Sequence, residues 1–167
     1  MDEPIEISAI NPDWNRETVR CFWDPGPKLI RAIRRYQSAK SRGGFAAKIT
    51  SKYWVLVHRF WSVVTQSEIH LHMEIGGGLM LPHPTGIILH PDCKLGVNCL
   101  IFQQVTISNA VDVGGHVDFG AGAKILGPLT IGDQAAIGAN AVVTKNIKAG
   151  ETWAGIPARP LREKSSG

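Results

Sequence analysis

Cysteine is scarce in this chain of 167 residues: Cys21, Cys93 and Cys99 are the only three, and no two of them form a CxxC pair. That excludes a paired redox or metal-knuckle motif, and the absence of paired cysteines predicts a reducing, cytoplasmic setting. Cys93 and Cys99 stand six apart at aliphatic-type positions, which predicts buried thiols. No run of ~18 apolar residues is present, so no membrane span is expected, and no signal peptide is visible. Nucleic-acid motifs and an aromatic stacking platform are also missing. The net charge of +4, from 18 Lys and Arg against 14 Asp and Glu, lies largely between Lys28 and Lys52 and reads as a solvated helix face. Gly and Pro, by contrast, are plentiful at 18 and 10, and many fall at fixed intervals as turn residues.

Those intervals are six residues long. From Leu95 to Lys148 the chain divides into LGVNCL, IFQQVT, ISNAVD, VGGHVD, FGAGAK, ILGPLT, IGDQAA, IGANAV and VTKNIK, almost every unit opening on an aliphatic residue. A period of six fits neither an amphipathic helix nor an ordinary strand, and is the mark of a parallel β-helix. Ile69, Ile75 and Leu81 lead three earlier hexads. Ile87 and Ile88 read as two extra residues that shift the phase before Leu89. Thirteen hexads at three per turn predict slightly over four turns.

Residues 1 to about 65 read differently. Asn11 to Phe22 suggests a short helix, and Pro27 a helix start, with Leu29, Ile30, Ile33 and Tyr36 as its apolar stripe and Arg31, Arg34 and Arg35 opposite. After Gly43-Gly44 a second helix is expected from Phe45 or Ala46 to Thr65, its aromatic face capping the first coil. The organisation expected is an α-helical region over 1–65, a β-helix over 66–150 and a C-terminal segment over 151–167.

His83 is the first chemical candidate. It lies in PHPTG beside the phase shift, at a turn position, where imidazole can act as general base on a hydroxyl; a plain surface histidine is the other reading. Glu68, fifteen residues earlier, falls three short of a complete turn, so the two can share one corner. A carboxylate there would orient the imidazole. His90 and His116 read as solvent-facing coil residues, and zinc is not expected because His83, His90 and His116 lack ligand spacing.

The stretch EIHLHMEIGGGLMLPHPTGIILH, then FQQVTIS, FGAGAKILGPLTIGDQAAIGANAVVTKNI and AGIPARP, resembles the serine acetyltransferases and their hexapeptide-repeat relatives. The resemblance covers Glu68 to Arg159. It implies a left-handed parallel β-helix, assembled as a homotrimer or a dimer of trimers with active sites between coils. It implies His83 as catalytic base, Glu68 as its carboxylate partner, and acetyl-CoA as co-substrate with no metal. Acetyl-CoA would lie along Gly120, Ala121, Gly122, Ala123, Gly138 and Ala139, with Arg159, Arg162 and Lys164 towards its phosphates. His70 matches a position whose family role looks structural.

Two departures fall on the acceptor side. The family's glycine-rich loop ending in Asp-Arg-His-Pro is missing, since Ser108 runs straight on through Asn109 and Ala110, and Pro82 replaces the Asp before the catalytic His. Either His90 or His116 would have to supply the missing second histidine. The implied function is an acetyl-CoA-dependent O-acetyltransferase with a small-molecule acceptor, L-serine first and a sugar hydroxyl of a surface-polysaccharide precursor second. A non-catalytic trimeric scaffold is the alternative of another class.

Overall fold

The computed structural model describes residues 7–161. From Glu68 onward the chain winds into a left-handed β-helix of three parallel sheets, each built from strands of two to four residues. The first sheet stacks Glu68–Ile69, Ile88–Leu89, Thr106–Ser108, Lys124–Leu126 and Val142–Val143. The second stacks Glu74–Ile75, Lys94–Leu95, Val111–Val113 and Leu129–Ile131. Leu100–Ile101, Asp118–Phe119, Ala136–Ile137 and Thr152–Gly155 make the third, closed by Ala158–Pro160 running antiparallel.

The hexads fold this way because two positions in each point inward. The leading residues Leu95, Ile101, Ile107, Val113, Phe119, Ile125, Ile131, Ile137 and Val143 are all buried, as are the fifth residues from Cys99 to Ile147. Each fully buried aliphatic side chain contributes about 1.5–3 kcal/mol, so the coil is held by a continuous column of such layers.

The rhythm departs from the sequence reading in two places. Glu68 pairs with Ile88 and Glu74 with Lys94, twenty apart, whereas higher turns repeat every eighteen. Ile87 is fully buried at a regular fifth position and Ile88 lies in a strand, so neither is the insertion. The two extra residues sit in the corner between Leu81 and Ile87, which carries His83. At the other end Ile131 bridges Ile147 and Ala136 pairs with Thr152, sixteen apart, so the last hexad, VTKNIK, loses two residues from its corner.

Below the coil lie α1 (Pro25–Arg42) and α2 (Gly44–Thr65), packed against each other. Pro25 joins Pro27 in the first turn of α1, which therefore starts two residues earlier than expected. Between Asn11 and Phe22 only a 3-10 turn forms, Trp14–Glu17, capped by Asp13. α1 buries Leu29, Ile30, Ile33 and Tyr36 as its pattern predicts. Arg34 does not face away from the core.

Its guanidinium ion-pairs with Glu17 at 2.8 Å and donates to the carbonyls of Ile75 and Gly76, both at 2.6 Å. Gln37 donates to Leu71 and Met73, Arg16 to Gly78 and Asn98, and His58 Nε2 meets the Ile69 carbonyl at 2.9 Å. Most of these acceptors belong to the first turn, which has no preceding coil to satisfy it. Donor side chains therefore take the place of a missing strand edge.

Candidate active site

The sheet registers define one corner of the triangle, where the chain passes from the third sheet to the first. It holds the enlarged Pro82–Gly86 turn, then Phe102, then Gly120–Gly122, then Gly138–Ala139, then Ala154. The chain thus lines up His83 with Gly120, Ala121, Gly122, Gly138 and Ala139 along a single edge. Arg159 joins the end of that column, opposite Ala154 in the antiparallel pair. His83 is exposed, and its ring lies 6.3 Å from that of Phe102, tilted by 34°. Three coils at ~4.8 Å each set His83 roughly 14 Å below Gly138.

A buried serine fastens the enlarged corner. Ser67 Oγ donates to the Pro84 carbonyl and accepts from the Ile87 N–H at 3.1 Å, while the Gly86 N–H donates to Thr65 at 3.0 Å. Ser67 is only 2% exposed, so the loop is tied to the end of α2 through the interior. Sequence reasoning missed it; its one signal was a small polar residue at the junction of helix and coil.

Glu68 follows directly, and its N–H donates to the Ile87 carbonyl at 2.8 Å. Its backbone therefore lies beside the turn that carries His83. Among the described residues, however, no hydrogen bond or ion pair joins the two side chains. Glu68 instead lines a cavity of about 630 Å³ shared with His58, Ser62 and His70. A second concavity, of about 840 Å³, lies elsewhere, between α1 and the second sheet at Lys40, Glu74 and Lys94. Neither cavity includes His83.

The expected donor-side residues divide by burial. Ala123 is fully buried at a fifth hexad position, so its methyl group fills the coil interior and cannot touch a ligand. Gly122 is buried too, whereas Ala121 is half-buried and Ala139 exposed. Gly120 and Gly138 are demanded by stacking. A Cβ on Gly120 would sit 2.6 Å from the Ala139 nitrogen, and one on Gly138 would sit 2.9 Å from Ala154 Cβ. Close coil contact alone explains both glycines. Arg159 is exposed and donates to the carbonyl of Ala158 at 2.9 Å. Arg162 and Lys164 lie outside the described residues.

The other histidines occupy other corners. His90 stands where the first sheet passes to the second, its Nδ1 accepting from the Asp92 N–H at 3.3 Å. His116 stands between the second and third sheets, with a buried Nδ1 that has no hydrogen-bond partner among the described residues. Within one chain, then, neither shares the His83 corner. Among the described residues no group of three or more His, Cys, Asp or Glu is placed to hold a metal ion. Burial pushes the Cys93 thiol up to about 12 and Cys99 to about 11, so both sulfurs are poor nucleophiles. Between Ser108 and Val111 the corner is only Asn109 and Ala110, with no loop leaving the coil.

No family model matches the chain. Among curated proteins it is similar to a serine acetyltransferase of Mycobacterium tuberculosis, 34% identical over 110 residues, covering 61% of this chain and 48% of that protein. A serine acetyltransferase of Escherichia coli is 40% identical over 113 residues, covering 63% of this chain and 41% of that one. The chain therefore spans about half the length of the curated relatives it matches. Among solved structures, a serine acetyltransferase in complex with CoA aligns with a TM-score of 0.69 at 32% identity, over 83% of this chain and 57% of the other. The Neisseria gonorrhoeae serine acetyltransferase gives a TM-score of 0.71 at 29% identity, over 87% of this chain and 56% of the other.

Proposed function

We propose that this chain, a serine acetyltransferase-like member of the hexapeptide-repeat superfamily, moves an acetyl group from acetyl-CoA to an acceptor hydroxyl, with L-serine as the first candidate acceptor. The observation that carries this reading is the single corner shared by His83 and the small residues Gly120–Gly122 and Gly138–Ala139. It aligns a general base with an edge low enough for an extended cofactor arm to lie against.

In this mechanism a ring nitrogen of His83 takes the proton from the acceptor hydroxyl as its oxygen attacks the thioester carbonyl. The carbonyl electrons return to expel the CoA sulfur, which leaves as the thiol after taking the proton back from the imidazolium. The thioester is the chemistry that acetyl-CoA supplies. The protein holds the base, orients the acceptor and directs backbone N–H groups at the developing oxyanion. Transfer is direct in this reading, and Cys93 and Cys99, buried with raised thiol pKa values, offer no acyl acceptor.

Ser67 fixes the His83 loop from below; the orienting role that the family resemblance gives Glu68 requires its side chain to turn from the cavity it lines toward His83. The His83 corner lies outside both large cavities and faces solvent in a single chain. That supports a site walled by a neighbouring coil of a homotrimer. Towards the CoA phosphates the cations would be Arg159, Arg162 and Lys164.

A sugar hydroxyl is the second reading of the acceptor. The Asn109–Ala110 corner favours it, because the glycine-rich loop expected of a serine enzyme is absent there. Thiol release from acetyl-CoA, measured with serine, homoserine and a panel of sugars, separates the two. His83→Ala should lower the rate by about 10²–10⁴-fold while leaving CoA binding unchanged by calorimetry. Full turnover by His83→Ala would overturn the assignment of the base. Failure of the unaltered protein to bind CoA would leave a scaffold.

A further inference from the structure

The helix pair carries a surface that the acetyltransferase reading does not use. Ala46, Ile49, Tyr53, Leu56, Phe60 and Val63 of α2 follow one another at alternating steps of three and four, so they form one straight stripe. All six are exposed, from 54% at Phe60 to 67% at Leu56 and 74% at Val63. Phe45 lengthens the stripe at one end. At the other, exposed Trp23 and Phe60 each lie within 5.5 Å of the Trp61 ring, and Lys28 lies over both Trp61 and the exposed Phe22. At 100° per residue, Lys48, Lys52 and Arg59 fall together along one flank of this stripe, and all three are exposed.

The charge around it is of one sign. Between Pro25 and Ser67 lie nine of the chain's 18 Lys and Arg and none of its 14 Asp and Glu. A second copy packed stripe to stripe would add the same cations, with no carboxylate on either helix of the pair to meet them. A surface that is apolar inside and anionic at its boundary satisfies both features at once. No helix among the described residues is long and apolar enough to cross a membrane, so such a helix would lie on a bilayer and not span it.

We propose that α2 seats lengthwise on an anionic phospholipid surface. Its apolar stripe enters the boundary between headgroups and acyl chains, and Lys48, Lys52 and Arg59 contact lipid phosphates. The proposal requires neither acetyl-CoA nor an acceptor, so its outcome is independent of the enzymatic reading.

The test is co-sedimentation of the full chain with vesicles of phosphatidylcholine alone or mixed with phosphatidylglycerol, at low and high salt. Binding is expected only to the mixed vesicles, and it should weaken as salt rises. Leu56→Glu with Phe60→Glu should abolish it. Lys52→Gln with Arg59→Gln should weaken it by about tenfold, at roughly a factor of five or less per cation. The second pair leaves every apolar contact in place, and unchanged circular dichroism and thermal midpoint confirm that it folds. Equal binding to both vesicle types, or none to either, overturns the proposal. So does a lipid-free assembly whose sedimenting mass falls on Leu56→Glu with Phe60→Glu, because the stripe would then be an interface between copies.

Discussion

Phe119 and Phe60 are the same side chain in opposite settings. The first is fully enclosed by coil layers above and below it; the second is 54% exposed on α2. The contrast holds for the two regions as wholes. The coil turns its aliphatic residues inward twice per hexad, and among the described residues Ile88, Leu126, Ile156 and Leu161 are its large apolar exposures. α2 turns Phe45, Ile49, Tyr53, Leu56, Phe60, Val63 and Val64 outward. The coil draws its stability from its own repetition, whereas the helix pair presents donors to the coil on one side and apolar and cationic groups to the surroundings on the other.

Paired substitutions test this contrast most strongly. Phe119→Ala should lower unfolding free energy by about 3–5 kcal/mol in a denaturant titration. Phe60→Ala should change it by no more than about 0.5 kcal/mol. Equal losses would mean that α2 is covered in solution and would erase the difference between the regions. Within the coil, Gly120→Ala should cost about 1–3 kcal/mol, because the added carbon meets the backbone of the next turn. CoA affinity measured on the same variant separates a stacking glycine from a ligand-contacting one.

The smallest effect lies at the seam, where His58 of α2 contacts the Ile69 carbonyl. Burial, assisted by the neighbouring His70, lowers the imidazole pKa below its ordinary 6.5, against the pull of that hydrogen bond. The folded protein therefore holds His58 neutral while the unfolded chain takes up a proton. Stability contributed here should be present above about pH 6.5 and decline as pH falls through that value. Thermal midpoints from about pH 7.5 to about pH 5.5 should show a shallower decline in His58→Gln than in the unaltered chain.

Much of this architecture was legible in the sequence because a hexad repeat states its inward positions directly. Ile101, Ile107 and Ile125 all lie where their spacing puts them. His83 and the Gly120 segment were named by the family resemblance, and the spacing alone left their shared corner unread. The exact place of the insertion was not legible, since buried Ile87 and outward Ile88 are alike in composition and differ only in the direction they point. Ala123 misled for a related reason: a small residue at the end of a Gly-Ala-Gly run looks like clearance for a ligand, yet its position in the hexad is an interior one. The shortening before Ile147 was hidden because Ile147 still falls at a fifth position. Arg34 and Ser67 could not be placed without coordinates, because each serves a backbone group distant along the chain.

The coil repeats every twenty residues at its base, eighteen through its middle and sixteen at its top. Each irregularity is absorbed within a single corner, the first between the third and first sheets and the second between the first and second, and the strands above and below stay in register. A molecule built this way can be edited locally: a corner can gain or lose two residues without moving the turns beyond it. On the proposed acetyltransferase reading, acceptor preference is open to rewriting at the His83 loop or the Asn109–Ala110 corner while the glycine-lined edge above stays as it is. Such a fold makes the identity of one substrate cheap to change and that of the other hard to disturb.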